Sequence, residues 1–272
     1  MDPRGEHAPE AYDALRQLEA DVRAAVPAEI LEPARHRVAM ALGQEPYALP
    51  SPPDPVLSLT EQFVIDVTGV DLGPAAATLG ARIGPFVQGL WVLDMGLRTD
   101  IALGRLFGIE IPVRAPVAAG TWDVDFDEFL KAVARLRVLD WTTTEIVRLR
   151  GARFHNCRLC KSLRTVSALK EGADEELFDK IDLYESSDLG ERHKVALRLT
   201  DAIVTQPRFL DDELVAQVRA TFTDAEVVEL VLDVMRNAAN KVAVAFGADE
   251  AHVTEGVELY DVLPDGDVVY DL

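Results

Sequence analysis

The chain has 272 residues, of which 49% are hydrophobic and 27% charged, and its formal net charge is −20. So large an acidic excess argues against nucleic acid and against anionic membrane surfaces as partners, since both need a basic face. The length allows one large core or two modest ones.

The opening "MDPRGEHAPEAYDALRQLEA" has no apolar segment of the kind that marks a secretory signal, and no later run is long and apolar enough to span a bilayer. With only two cysteines a disulfide framework is excluded, and the expected location is cytoplasmic. A helix is expected through "EPARHRVAMALGQEP" from Glu32, ending before the proline-rich "PYALPSPPDPV". Next come the apolar blocks "LSLTEQFV" (57–64) and "VLDMGLRTDIALGRLFG" (92–108). A further helix covers 126–140, and another runs through Glu145, Ile146, Leu149 and Ala152. Beyond it, Asp211 is a candidate N-cap, and the apolar positions of 225–244 repeat at helical spacing. That last segment opens on a capping box, Thr223 with Glu226, and can stop at Gly247. No set of alternating strands suffices for a sheet. The acidic tail "VELYDVLPDGDVVYDL" can form a hairpin around Asp265-Gly266, or dock as an irregular arm.

Two pairs of blocks match in register. "LSLTEQFV" aligns with "LRLTDAIV" at 197–204, and "VLDMGLRTDIALGRLFG" aligns with "VLDVMRNAANKVAVAFG" at 231–247. Upstream of each pair lies a helical stretch that begins at an acid, Glu32 in one and Glu145 in the other. The pattern reads as a degenerate internal duplication. Its first copy covers residues 1–115 with an N-terminal extension, its second covers 116–250, and an acidic tail follows over 251–272. Only the second copy runs into cysteines, so function is expected there.

Those cysteines lie in "HNCRLCKSLR", as Cys157 and Cys160. Asn156 is a candidate N-cap for a helix that starts at Cys157. A cysteine in a first helical turn faces unpaired N–H groups and the positive end of the dipole. Arg153, Arg158, Lys161 and Arg164 add positive charge, and both effects favour thiolate, at Cys157 first. Cysteines three apart share a helix face and can form a dithiol/disulfide couple. The plainer reading is a pair of small buried side chains. Zinc needs about four ligands, and the sequence offers no second C-x-x-C or paired histidine motif, so no metal is expected. Glu145 also has a plain reading, as the end of a capping box Thr142-x-x-Glu145. Asp94 and Asp233 recur in both copies and read as scaffold.

Glu145, Cys157 and Cys160 inside "EIVRLRGARFHNCRLC" resemble the AhpD-like superfamily, which comprises the alkylhydroperoxidase AhpD and the carboxymuconolactone decarboxylase family. The likeness covers residues 120 to 250, with the first half as a second, degenerate copy. It implies an all-α fold, assembly into homo-oligomers, and thiol-dependent reduction of a small peroxide with a dithiol reductant and no cofactor. In that peroxidase branch Cys160 would attack, Cys157 would resolve, and Glu145 would manage the proton. The helix-start reasoning favours Cys157 instead. Two positions depart from the peroxidase pattern, which has histidine where this chain has Leu159 and Arg164. Arg164 can steady a thiolate or an anionic substrate but not shuttle protons, which leaves His155 as a substitute. The alternatives are a decarboxylase-type lyase, whose branch generally lacks the cysteine pair, and a non-catalytic or redox-sensing module.

Overall fold

A computed structural model describes residues 1–270. It is 67% helix and 4% strand, which places the chain in the all-α class. The helices are α1 (Pro3–His7), α2 (Pro9–Ala25), α3 (Ala28–Ala41), α4 (Pro55–Ile65), α5 (Gly73–Leu79), α6 (Ile83–Phe107), α7 (Trp122–Ala134) and α8 (Trp141–Phe154). They continue with α9 (Arg158–Ser162), α10 (Val166–Lys170), α11 (Glu175–Asp179), α12 (Glu191–Thr205), α13 (Asp212–Thr221), α14 (Asp224–Asn237) and α15 (Asn240–Ala245).

Local signals account for several boundaries. Asp211 caps α13 by accepting from the Leu214 N–H at 2.8 Å. Thr223 and Glu226 close the expected capping box on α14. The long α6 ends where Gly108 turns left-handed, at φ 65°. Three boundaries differ from expectation. Helix α3 begins at Ala28, so Glu32 lies inside it. The N-cap of α8 is Asp140, which accepts from the Thr143 N–H at 2.7 Å. The capping box Thr142–Glu145 is therefore not formed, and Glu145 is left for other contacts. The segment 225–244 is two helices, α14 and α15, whose break brings Asn240 to His155.

The main buried core runs from Ala8 to Ala245, beside a small separate cluster of Val38, Leu42 and Val64. The two halves of the sequence therefore share one apolar interior. Helix α6 lies against α14, and its Trp91 indole donates to the Met235 carbonyl at 3.2 Å. Arg98, on the same helix and 2% exposed, donates to the carbonyls of Ile203, Val204 and Thr205 at the end of α12. It donates equally to Val64 near the end of α4, at 2.9 Å. One guanidinium thus satisfies the otherwise unpaired carbonyls of two helices.

The halves also repeat a local arrangement. Arg37 reaches Glu61 at 2.6 Å and stacks on Tyr47, whose hydroxyl donates to Glu61. Arg150 reaches Asp201 at 2.6 Å and stacks on Tyr184, whose hydroxyl donates to Asp201.

The tail forms the expected hairpin, β2 (Glu258–Val262) with β3 (Val268–Tyr270). A sheet was not expected, yet β2 also pairs in parallel with β1 (Leu163–Thr165), immediately after the dithiol turn. Three residues are too few to show alternation, which is why the sequence concealed β1. The hairpin tip rests on α7: a Cβ on Gly266, at φ 92°, would lie 2.6 Å from the Lys131 carbonyl oxygen. Only glycine fits that approach. The expected helix through 126–140 is α7, ending at Ala134.

Candidate functional site

After α8 the chain turns sharply through Asn156, at φ 53°, a conformation that asparagine tolerates better than most residues. Cys157, rather than Asn156, then caps α9. Its sulfur accepts from the Cys160 N–H at 3.2 Å. The turn is fastened from outside by Asp249, which accepts from the Arg158 N–H at 2.8 Å and from its guanidinium at 2.7 Å. The Asp249 carbonyl accepts in turn from the Leu159 N–H. Arg158 holds the Asp249 carboxyl below its ordinary range.

Cys157 and Cys160 are joined as a disulfide. They are not equally accessible. Cys157 is 1% exposed, while Cys160 is half-buried. Both line a cleft of about 580 Å³ with apolar walls, among them Phe126 and Leu130 of α7 and Val242 and Phe246 of α15 and its end. Such a volume suits a small, mainly apolar molecule.

Beneath the turn lies a buried network. Glu145 and Arg148, one helical turn apart on α8, form a two-pronged ion pair at 2.8 and 2.7 Å. Glu145 also accepts from the Tyr260 hydroxyl at 3.0 Å and from the Thr165 N–H at 3.2 Å. Arg148 donates to the carbonyls of Cys160 and Leu163, each at 2.7 Å, and stacks over the Tyr260 ring. Burial alone would lower the Arg148 pKa, but Glu145 more than offsets it and holds the guanidinium above its ordinary value. Burial also pushes the Tyr260 phenol up. The network therefore stays charged on Arg148 and protonated on Tyr260 at neutral pH.

A small void beside it is lined by Glu145, Asp233, Asn237 and Tyr260. Among the described residues, Asp233 Oδ2 and Asn237 Nδ2 are buried with no hydrogen-bond partner. Burial, reinforced by the neighbouring Glu229, pushes the Asp233 carboxyl up to about 8. It is a neutral acid near pH 7.

Of the five expected site residues, the structure brings Cys157 and Cys160 to the cleft and Glu145 to the network beneath, joined to the Cys160 carbonyl through Arg148. It does not bring the other two to the cleft. Arg164 is buried and clamps Glu175 at 2.8 and 2.9 Å, with further donations to the Lys161 and Leu163 carbonyls. Its guanidinium stacks on Phe178 instead of facing a thiol. His155 faces a separate hollow with Asp66 and Lys241, where its Nδ1 meets Asn240 Oδ1 at 2.9 Å. Burial and then the nearby Lys241 depress its pKa to about 3, so it is neutral. The expected proton substitute is thus directed elsewhere.

Sequence reading missed Arg148 and Tyr260. The Glu145-x-x-Arg148 spacing was a usable signal for a helical ion pair. Tyr260 gave none, because its partners lie over a hundred residues upstream. Among the described residues no group of three or more His, Cys, Asp or Glu is placed to hold a metal ion. Nor is any helix long and apolar enough to cross a membrane.

Fold and site together define a helical protein with a disulfide lining an apolar cleft. The chain belongs to the family of the uncharacterized proteins Rv2313c and MT2376 of Mycobacterium tuberculosis. To each it is 41% identical over 230 residues, which cover 79% of this chain and 80% of the relative. It is also similar to the uncharacterized protein YdfG of Bacillus subtilis, 28% identical over 109 residues, or 39% of this chain and 74% of that one. No protein-family model matches the chain. No solved structure matches it.

Proposed function

We propose that this protein is a thiol-dependent oxidoreductase of the AhpD-like type, with its dithiol in the second of two fused copies. The observation that carries the reading is the Cys157–Cys160 disulfide lining a cleft, with Cys160 half-buried and Cys157 fully buried. Access makes Cys160 the attacking thiolate. Its sulfur displaces an alcohol from a small hydroperoxide and becomes a sulfenic acid, while the departing alkoxide takes a proton from water. Cys157 then attacks that sulfur, expelling the oxygen as water and forming the disulfide. An external dithiol reductant restores both thiols and is itself oxidised to a disulfide. In the reductive step the buried Cys157 is the leaving group, and the Cys160 N–H supports it as a thiolate.

Glu145 was expected to manage the proton. Four donors already occupy its two oxygens. It therefore acts as a positioning residue, holding Arg148 against the Cys160 carbonyl. Duplication is supported by the recurrent arginine–acid–tyrosine contacts and by Arg98, which serves the matching helices α4 and α12. The reading includes a homo-oligomer, with no cofactor.

A redox-sensing module is the second reading, favoured by the absence of a histidine at the sulfurs: Leu159 and the engaged Arg164 stand in the peroxidase's histidine positions. One experiment separates them. The reduced protein is mixed with an organic hydroperoxide and a dithiol donor, and turnover is followed as loss of peroxide. Sustained turnover that Cys160→Ser abolishes supports the oxidoreductase. A single oxidation without turnover supports the sensor, and thiols that stay reduced sink both.

A further inference from the structure

The first half of the chain holds a second cleft, of about 420 Å³, with no cysteine in it. Its walls come from elements in the same order as those of the thiol cleft. Helix α2 stands where α7 stands, α3 where α8 stands, and α6 where α14 stands. With the helical stretches set in register from Glu32 and Glu145, Arg35 corresponds to Arg148 and Gln44 to Cys157, and all four line their clefts. The first copy thus lost the thiols but kept the hollow.

The two arginines differ in what they are free to do. Arg148 is locked by Glu145 under Tyr260, with its side chain 10% exposed. Arg35 is 59% exposed and gives only its Nε to Glu32, at 2.9 Å. Among the described residues its two terminal nitrogens have no partner. Arg23, from α2, comes no closer than 4.0 Å to Glu19 and makes no hydrogen bond there.

Of the cleft's acids, Glu32 pairs only with Arg35, through that single bond, and the other two are engaged elsewhere. Glu19 accepts twice from Arg114, at 2.8 and 2.5 Å. Asp100 accepts from Arg4 at 2.6 Å and from Arg114 at 2.9 Å. Two guanidinium groups with unused donors therefore stand at the mouth of a hollow whose floor is apolar, formed by Val22, Leu31, Val92 and Leu93. Gly96 opens that floor further. A Cβ there would meet nothing within 4 Å, although the residue is buried on α6.

We propose that this cleft is a binding site for a small amphipathic carboxylate, its apolar body over Gly96 and its carboxylate on Arg23 and Arg35. Planar guanidinium matches carboxylate in pairs of hydrogen bonds, and apolar walls with few polar groups are the usual form of a small-molecule site. The site is independent of the dithiol, so it stands or falls apart from the redox reading.

Decanoate is the probe, titrated calorimetrically into the full chain. The expected result is saturable binding, one molecule per chain, weakened about tenfold or more by Arg23→Ala with Arg35→Ala. Decanol, with the same body and no charge, should bind about tenfold more weakly than decanoate. Gly96→Leu fills the floor and should abolish binding; it replaces a glycine inside a helix with a better helix former, and both arginine changes are at exposed positions, so the variants fold. Replacing both cysteines with serine should leave decanoate affinity unchanged. The proposal is overturned if decanoate does not saturate, if decanol binds as well, if the arginine or Gly96 variants bind normally, or if the cysteine variant loses binding.

Discussion

The Tyr260 hydroxyl donates to Glu145 Oε2 at 3.0 Å across 115 residues of sequence. This bond ties the C-terminal hairpin to the helix that supports the dithiol turn. Tyr260→Phe removes one donor from a buried carboxylate and should cost about 1–3 kcal/mol in denaturant unfolding. The same change should loosen Arg148, which hydrogen exchange at the Cys160 and Leu163 segment would detect. An unchanged unfolding midpoint would show that the contact is dispensable.

Glu145→Gln leaves the Arg148 guanidinium buried without its countercharge. Breaking such a pair from one side costs about 3–5 kcal/mol. Arg148→Met in the same chain should recover much of the loss, because it removes the stranded charge. A double-mutant cycle on unfolding free energies measures that coupling, and additivity of the two changes would refute it.

Access to the two sulfurs differs enough to be read kinetically. In the reduced native protein Cys160 should be alkylated at least about tenfold faster than the buried Cys157, with equal rates after denaturation. Mass spectrometry of timed samples resolves the two sites. Faster labelling of Cys157 would reverse the roles assigned here.

The disulfide closes a very short loop, so reducing it should lower stability by only about 2 kcal/mol on the chain-entropy account. A thermal melt with and without a dithiol reports the difference. A protein that unfolds on reduction would show that the bond is a structural staple instead of a working couple.

Two buried groups set opposite pH trends. The folded pKa of His155, about 3, lies below its unfolded value. Its contribution is fully present above pH 6.5 and is lost as pH falls towards 3. Asp233 is raised to about 8, so its folded form keeps a proton that the unfolded chain releases. Its contribution is present below about pH 4 and is lost as pH rises to 8. The two oppose one another between about pH 4 and 6.5, and Asp233 dominates from there to 8. Asp233→Asn should therefore remove a fall in stability of about 1.4 kcal/mol per pH unit across that upper window. Urea midpoints at pH 6.5 and 8 test this, and equal slopes in both proteins would contradict it.

The features that could be read from the sequence were those built from near neighbours. Apolar spacing located α7, α8 and α14, and Thr223 with Glu226 and Asp211 marked two helix starts. Glu145 and the cysteines could be read together because one helix and one turn carry all three. What stayed hidden depended on distant partners or on side-chain direction. Thr142 and Glu145 had the spacing of a capping box, but Asp140 reached the free N–H groups first. Arg164 and His155 sit next to the cysteines in sequence, yet Glu175 and Asn240 draw their side chains away. The small sheet joins residues 163–165 to 258–262, and no local pattern announces a pairing of that span.

Arg98 has a consequence for how this chain can be divided. The last carbonyls of α12 have their donor on α6, in the other half of the sequence. A fragment beginning at Trp122 would keep the cysteines, Glu145 and Tyr260, and lose that donor together with the Asp94 carboxylate that holds Lys241. The half that carries the cysteines is thus not a transplantable cassette. Any effort to shorten or graft it must first supply an equivalent of one guanidinium from outside.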